Sequence, residues 1–329
     1  MIPTLAAPRK TASDRFAWRA EAMLLRAFWC LSRGLSPMRA ARMGSSLFRW
    51  LGPRLDKQRF VHANLQLAFP ELDADTLATR AGEVWANFGS VLAEYPHMQQ
   101  WRQLVTELEI APQSRSILEA REPAIYVAAH IANWELAVAA VSGLGVPLSV
   151  VYAPQGNPLV NELIQARRKS FTDCRFVGKK NCVRSLLTDL RDGRSVGMLP
   201  DQRADVGEFL PFFGKPAQTS ISPAWLALKL GRPLIPVQIE RLGAARYVVR
   251  IHQPLLPQDR YGARAEALQL TTELNALFES WVRRHPGQWL CMRRRWPGII
   301  RRKPLVMARS TREPAAADPD LAESHRKCA

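Results

Sequence analysis

Chemistry is first suggested by two polar residues five positions apart. Ala124-Ile125-Tyr126-Val127-Ala128-Ala129 is a short apolar run suited to a buried strand, and it ends in His130, followed by Ile131-Ala132-Asn133-Trp134-Glu135. In an open parallel sheet, reactive groups gather just past the carboxyl ends of the strands. A histidine there, with a carboxylate in the first turn of the next helix, can act as a general base. Glu135 would meet one imidazole nitrogen, fix the tautomer and stabilise the imidazolium formed when the other nitrogen takes a proton. On the spacing alone, a helix-capping histidine beside a surface glutamate is the simpler reading. The other histidines (His62, His97, His252, His285, His325) have no comparable setting. No Gly-x-Ser-x-Gly elbow, Walker loop, Gly-x-Gly-x-x-Gly or His-Glu-x-x-His pattern occurs. Neither a metal nor a cofactor is therefore expected. What remains is a histidine base acting directly on a substrate hydroxyl.

Three further clusters lie downstream. Asp201 follows a strand candidate at 195–199, and Phe212-Phe213-Gly214-Lys215-Pro216 and Thr219 come after it. This suits a cleft wall that mixes acyl-compatible aromatics with hydrogen-bond donors; a plain Pro/Gly turn with core phenylalanines is the alternative. Asn157-Pro158 opens a helix that ends in Arg167-Arg168-Lys169. These cations could neutralise an oxyanion or bind a phosphate, or simply complement the helix dipole. Finally, Arg293-Arg294-Arg295 lies between Trp289 and Trp296, which fits an interfacial patch or a phosphate clamp.

The elements that must position these groups follow from periodicity. Helices are expected at 14–33 and 37–51, the second with Ser36-Pro37 as N-cap and first helical residue. The stretch 73–121 reads as helical, with Leu77, Ala81, Val84, Trp85, Phe88 and Val91 on one face. Beyond it, strand candidates at 124–129, 148–152, 195–199, 234–240 and 247–252 alternate with helices at 134–144, 158–171, 183–191 and 223–230. The last two strands are expected to pair as an antiparallel hairpin across Gly243, and a long helix at 263–284 follows. The fold class is therefore α/β, a largely parallel sheet covered by helices. Three regions are expected: a basic helical membrane-associating segment at 1–60, a catalytic domain at 61–305 and a disordered tail at 306–329.

The chain of 329 residues carries 46 Lys+Arg against 29 Asp+Glu, a formal charge of +17 that calls for a polyanionic partner. The charge is concentrated at the ends. Residues 1–60 hold 12 basic side chains against three acids, and residues beyond Cys291 hold ten against four, so the middle is nearly neutral. Basic residues interleaved with Phe16, Trp18, Phe28, Trp29 and Trp50 suit helices lying at an anionic membrane surface. An ordinary basic hairpin packed on the domain is the other reading, and a nucleic-acid-binding protein fits poorly for want of any binding motif. The five cysteines are odd in number, lack a Cys-x-x-Cys pair and read as reduced thiols. The best apolar stretch, 22–31, is interrupted by Arg26 and is too short to span a bilayer, and no signal peptide is expected.

Taken in order, His-x-x-Asn-Trp-Glu (130–135), Asn-Pro with a downstream arginine (157–168), Pro-Asp-Gln (200–202), Pro-Phe-Phe-Gly-Lys-Pro-Ala (211–217) and Pro-Gly-Gln-Trp-Leu…Arg-Arg-Trp (286–296) resemble the bacterial lipid A biosynthesis acyltransferase family. The likeness is to its late, lauroyl/myristoyl-type enzymes, within the wider H-x4-D/E acyltransferase superfamily. Ala63-Asn64-Leu65-Gln66-Leu67-Ala68-Phe69-Pro70 and Trp85-Ala86-Asn87-Phe88-Gly89 are similar to its N-terminal segment, so the likeness spans 60–300. It implies an inner-membrane enzyme on the cytoplasmic face, moving an acyl chain from acyl carrier protein to a hydroxyl of a Kdo-bearing lipid A precursor. Another membrane glycolipid or an ornithine lipid is the alternative acceptor. His130 would be the base and Glu135 its partner, with the family's arginine on Arg168 or Arg167. Asn133, Asp201, Phe212, Phe213, Lys215, Thr219, Arg294 and Arg295 would bind substrate. Cys291 stands where the family usually has an aromatic residue.

Overall fold

The computed structural model describes residues 12–180, 182–256 and 263–298. The tail expected at 306–329 lies outside them. The chain opens with α1 (Ala12–Arg33), α2 (Pro37–Leu51), α3 (Gln58–Ala68) and α4 (Ala74–Glu94). Ser36 caps α2 through the Arg39 amide, and Asp73 caps α4 through the Thr76 amide at 2.7 Å. There follow α5 (Trp101–Leu104), β1 (Val105–Ile110), α6 (Pro112–Glu119), β2 (Ile125–Val127), α7 (Glu135–Gly143), β3 (Leu148–Tyr152) and α8 (Pro158–Phe171). The remainder is β4 (Arg175–Gly178), α9 (Val183–Arg191), β5 (Ser195–Met198), β6 (Glu208–Phe212), β7 (Lys215–Thr219), α10 (Ser222–Leu230), β8 (Leu234–Gly243), β9 (Arg246–Ile251) and α11 (Ala263–Arg284).

Seven strands form one sheet in the order β1-β9-β8-β2-β5-β3-β4. Five run parallel from β8 to β4; β9 is antiparallel to β8, and β1 pairs with β9 in parallel. β2 lies at the centre, and its residues alternate between two cores. Ile125, Val127 and Ala129 join α3, α4, α9, α10 and α11 on one face, while Tyr126 and Ala128 join α7 on the other. A strand buried on both faces has to be apolar throughout, which is why 124–129 carries no charge. The α/β class is as expected, and so is the β8–β9 hairpin.

Two expectations fail. The helix from 73 does not continue to 121: it ends at Glu94, passes through a 3-10 segment at Tyr95–Gln100, and gives way to β1. Val105, Thr106 and Ile110 favour extended backbone, and β1 is a half-exposed edge strand whose pattern resembles an amphipathic helix. β6 and β7 form a two-stranded hairpin where a loop was expected, because Pro211 and Pro216 sit opposite each other and disguise it. Its turn places both Phe213 and Gly214 at positive φ, 51° and 67°, the pattern of a two-residue I′ hairpin.

α2 and α4 approach so closely that a β-carbon at Gly44 or Gly89 would collide with the other's carbonyl. Ser90 Oγ adds a hydrogen bond to the Ala41 carbonyl at 3.1 Å. Gly89→Ala should therefore destabilise the protein by about 1–3 kcal/mol, the usual cost of overpacking, read as a lower urea midpoint at unchanged slope.

Candidate active site

The site forms where β2 and β5 end side by side. His130 lies three residues beyond β2 and Asp201 three beyond β5. Imidazole Nδ1 lies 2.6 Å from Asp201 Oδ1, and Trp289 Nε1 donates to the other carboxylate oxygen at 3.3 Å. Asp201 is fully buried. Burial by itself would raise its pKa, but the charge of His130 and hydrogen bonds from its ring and backbone N–H hold it below the ordinary carboxylate range. An ionised carboxylate can only accept, so Nδ1 carries the proton and Nε2 is left as the basic nitrogen. The His130 side chain keeps 22% of its surface exposed.

The contact expected between His130 and Glu135 does not form. Ala132 turns into the left-handed region at φ 52°, and α7 begins only at Glu135, so no helical face carries both residues. Asn133 Oδ1 then accepts the Glu135 amide at 3.2 Å. The Glu135 carboxylate instead takes a two-pronged ion pair from Arg168 at 2.9 and 2.5 Å, with hydrogen bonds from Tyr95 at 2.7 Å and Trp134 Nε1 at 3.1 Å. Burial pushes Glu135 up, but Arg168 and these donors bring it below the ordinary range. Conversely, burial pulls Arg168 down while Glu135 holds it above its ordinary value. Of the two arginine candidates, then, Arg168 meets Glu135. Arg167 points away, its guanidinium 5.5 Å from the centre of the Trp29 ring.

The loop between them is pinned from behind. Leu290 N donates to the His130 carbonyl at 2.8 Å and Ala132 N to the Gln288 carbonyl at 2.9 Å. Asn87 Nδ2 donates to the Ala132 carbonyl at 3.0 Å. Asn133 Nδ2 reaches Glu94 at 2.9 Å; Glu94 is itself buried and receives Arg241 at 2.6 Å and the Tyr247 hydroxyl. Asn133 is thus committed to holding the loop.

The other expected substrate contacts are elsewhere. Phe212 and Phe213 do not line an open groove; they are buried in an aromatic cluster with Trp289 and Trp296, with ring centres 5.0–6.4 Å apart. The tight hairpin turn tucks both rings inward. Thr219 and Arg295 are buried beside them, paired at 2.8 Å, with Arg295 stacked 4.7 Å from the Phe212 ring. Burial lowers Arg295 to about 10. Lys215 and Arg294 are partly exposed, and no hydrogen bond among the described residues ties either to His130 or Asp201. Cys291 is buried, with its thiol pushed up by burial. Among the described residues no group of His, Cys, Asp and Glu is placed to hold a metal. Sequence reasoning missed Asn87, Glu94, Tyr95 and Arg241. Only the Trp-x-Asn-Phe-Gly block around Asn87 gave any signal.

The chain belongs to the bacterial lipid A biosynthesis acyltransferase family, whose sequence profile matches residues 10–297. A lipid A biosynthesis acyltransferase of Haemophilus influenzae is 25% identical over 278 residues, covering 80% of this chain and 83% of that protein. A crystal structure of a 1-acyl-sn-glycerophosphate acyltransferase from Thermotoga maritima aligns with a TM-score of 0.35 at 14% identity, over 71% of this chain and 98% of that one.

Two outcomes follow from the buried pairs. Glu135→Gln should cost about 3–5 kcal/mol by stranding the Arg168 charge, and adding Arg168→Met should restore most of it, both read by urea unfolding. Asp201 and Glu135 bind fewer protons folded than unfolded. The stability they confer is therefore present above their ordinary values near about 4 and is lost as pH falls through their lower native values. Urea titrations at falling pH should show this loss, and Asp201→Asn should make it shallower.

Proposed function

We propose that the protein moves a fatty acyl chain from an acyl carrier protein thioester to a hydroxyl of a Kdo-bearing lipid A precursor. The observation that supports this reading is the His130–Asp201 pair, in which a partly exposed imidazole turns Nδ1 to a buried carboxylate and leaves Nε2 free to act as the base. Nε2 takes the proton of the acceptor hydroxyl as its oxygen attacks the thioester carbonyl. The tetrahedral intermediate collapses, the carbon–sulfur bond breaks, and the carrier thiolate takes the proton back from Nε2. Asp201 is a positioning residue that stabilises the imidazolium formed in between. Arg168, ionised and held by Glu135, supplies the positive charge for the oxyanion.

The acceptor is a membrane lipid, so the enzyme has to rest on a membrane, and we assign that contact to the N-terminal helices. Among the described residues no helix is long and apolar enough to cross a bilayer. α1 nevertheless leaves Phe16, Met23, Leu24 and Leu31 exposed at the i, i+7, i+8, i+15 spacing of one helix face. Such a stripe edged by arginines suits a helix lying in the headgroup region, here on the cytoplasmic side of the inner membrane. In this reading 1–60 forms the membrane-facing part and 61–305 the catalytic part.

His130→Ala should lower transfer from acyl carrier protein thioester by about 10²–10⁴-fold, with the melting curve unchanged. Near-normal turnover by the folded variant would remove His130 from the mechanism.

A further inference from the structure

Between α1 and α8 lies an open groove of about 400 Å³ lined by Arg26, Trp29, Cys30, Arg33, Leu163, Ala166 and Arg167. Its size falls within the range of about 300–1,000 Å³ common for ligand sites. Three of the seven lining residues are arginines and none is acidic. No hydrogen bond or ion pair among the described residues joins Arg26, Arg33 or Arg167 to a carboxylate, unlike Arg168 next door. Like charges gathered without a counter-ion repel one another, and an anion in the groove would relieve that repulsion. Three guanidinium forks match the oxygens of a phosphate. The floor is rigid: Trp29 is buried, its Nε1 is committed to the Leu92 carbonyl at 2.9 Å, and its ring stacks on Tyr95 with centres 5.6 Å apart.

Position identifies the source of the anion. Arg15, Arg19, Arg26 and Arg33 fall along one edge of α1, beside the exposed stripe of Phe16, Met23, Leu24 and Leu31. When that stripe enters the acyl boundary of a bilayer, the arginine edge lies at headgroup depth. We propose that the α1–α8 groove binds the phosphate of a membrane-lipid headgroup. The proposal rests on the reading that α1 lies on the membrane. It gives Arg167 a task apart from its neighbour: Arg168 serves the site, and Arg167 serves the lipid. The groove also backs onto the site, since the Tyr95 beneath its floor is the residue that bonds Glu135.

The test is flotation of the full chain with phosphatidylcholine vesicles, and with the same vesicles doped with phosphatidic acid. The Arg26→Gln/Arg33→Gln/Arg167→Gln variant is compared with Arg115→Gln/Arg184→Gln/Arg191→Gln, which removes three exposed charges from α6 and α9, outside the membrane-facing part. Wild type should prefer the doped vesicles. At roughly fivefold for each basic residue at an anionic surface, the groove variant should lose roughly a hundredfold of that affinity, and the α6/α9 variant much less. Alkylation of Cys30, located by peptide mass spectrometry, should slow in wild type with doped vesicles more than with neutral ones. Equal losses in the two variants, or none in the groove variant, would overturn the proposal. So would inorganic phosphate alone protecting Cys30 as well as the doped vesicles do, because the site would then take a free anion. If wild type floats equally with both vesicles, the groove proposal fails alone; if it floats with neither, the membrane reading fails with it.

Discussion

A carboxylate withdrawn from water has to find cations and donors at once, and three such groups crowd behind the turn at Ala132. Asp201 is matched by His130, Glu135 by Arg168 and Glu94 by Arg241. Each pair draws on a different region of the chain: β5 with β2, α7 with α8, and α4 with β8. The pairs therefore act as further ties between elements already joined by sheet pairing or packing. None could move far without stranding a buried charge, so the left-handed backbone at Ala132 is held by its surroundings and not by its own preference.

This arrangement separates tasks that the sequence had placed together. His130 and Glu135 are near neighbours in the chain, yet the turn sends one toward Asp201 and the other toward Arg168. One carboxylate holds the imidazole while the other fixes a cation, and neither has to compromise for the other. The family to which the chain belongs acts in lipid A biosynthesis. The proposed mechanism asks for a base and a site for developing negative charge in different places, and the two buried pairs match that requirement.

Much of the framework was readable because its signals are local. The apolar run 124–129, the Ser36-Pro37 start and the Asn157-Pro158 start each mark an element within a few residues. β1 was hidden because an edge strand keeps one face in water, and its polar residues mimic a helical pattern. His130 was legible from its place at a strand end. Its partner was not, because Asp201 is 71 residues away and only the order of strands β2 and β5 brings them together. Likewise, the arginine could be narrowed to 167 or 168, but which one turns inward is decided by where α8 lies over Tyr95 and Trp29. Phe212 and Phe213 looked like cleft lining because a Pro-Phe-Phe-Gly-Lys-Pro run gives no sign of the tryptophans, more than 70 residues later, that close over it.

The glycine contact between α2 and α4 reaches further than local packing. Backbone meets backbone there, with no flexible side chain between to absorb motion. Just beyond that crossing α4 delivers Glu94, and Tyr95 follows directly, both onto the 130–135 loop. The N-terminal helices and the loop are thus joined through α4, which α2 meets backbone to backbone at the Gly44–Gly89 crossing. Sliding of α2 along α4 is therefore blocked by backbone alone, and the helix that α2 abuts is the one whose end carries the partners of Asn133 and Glu135.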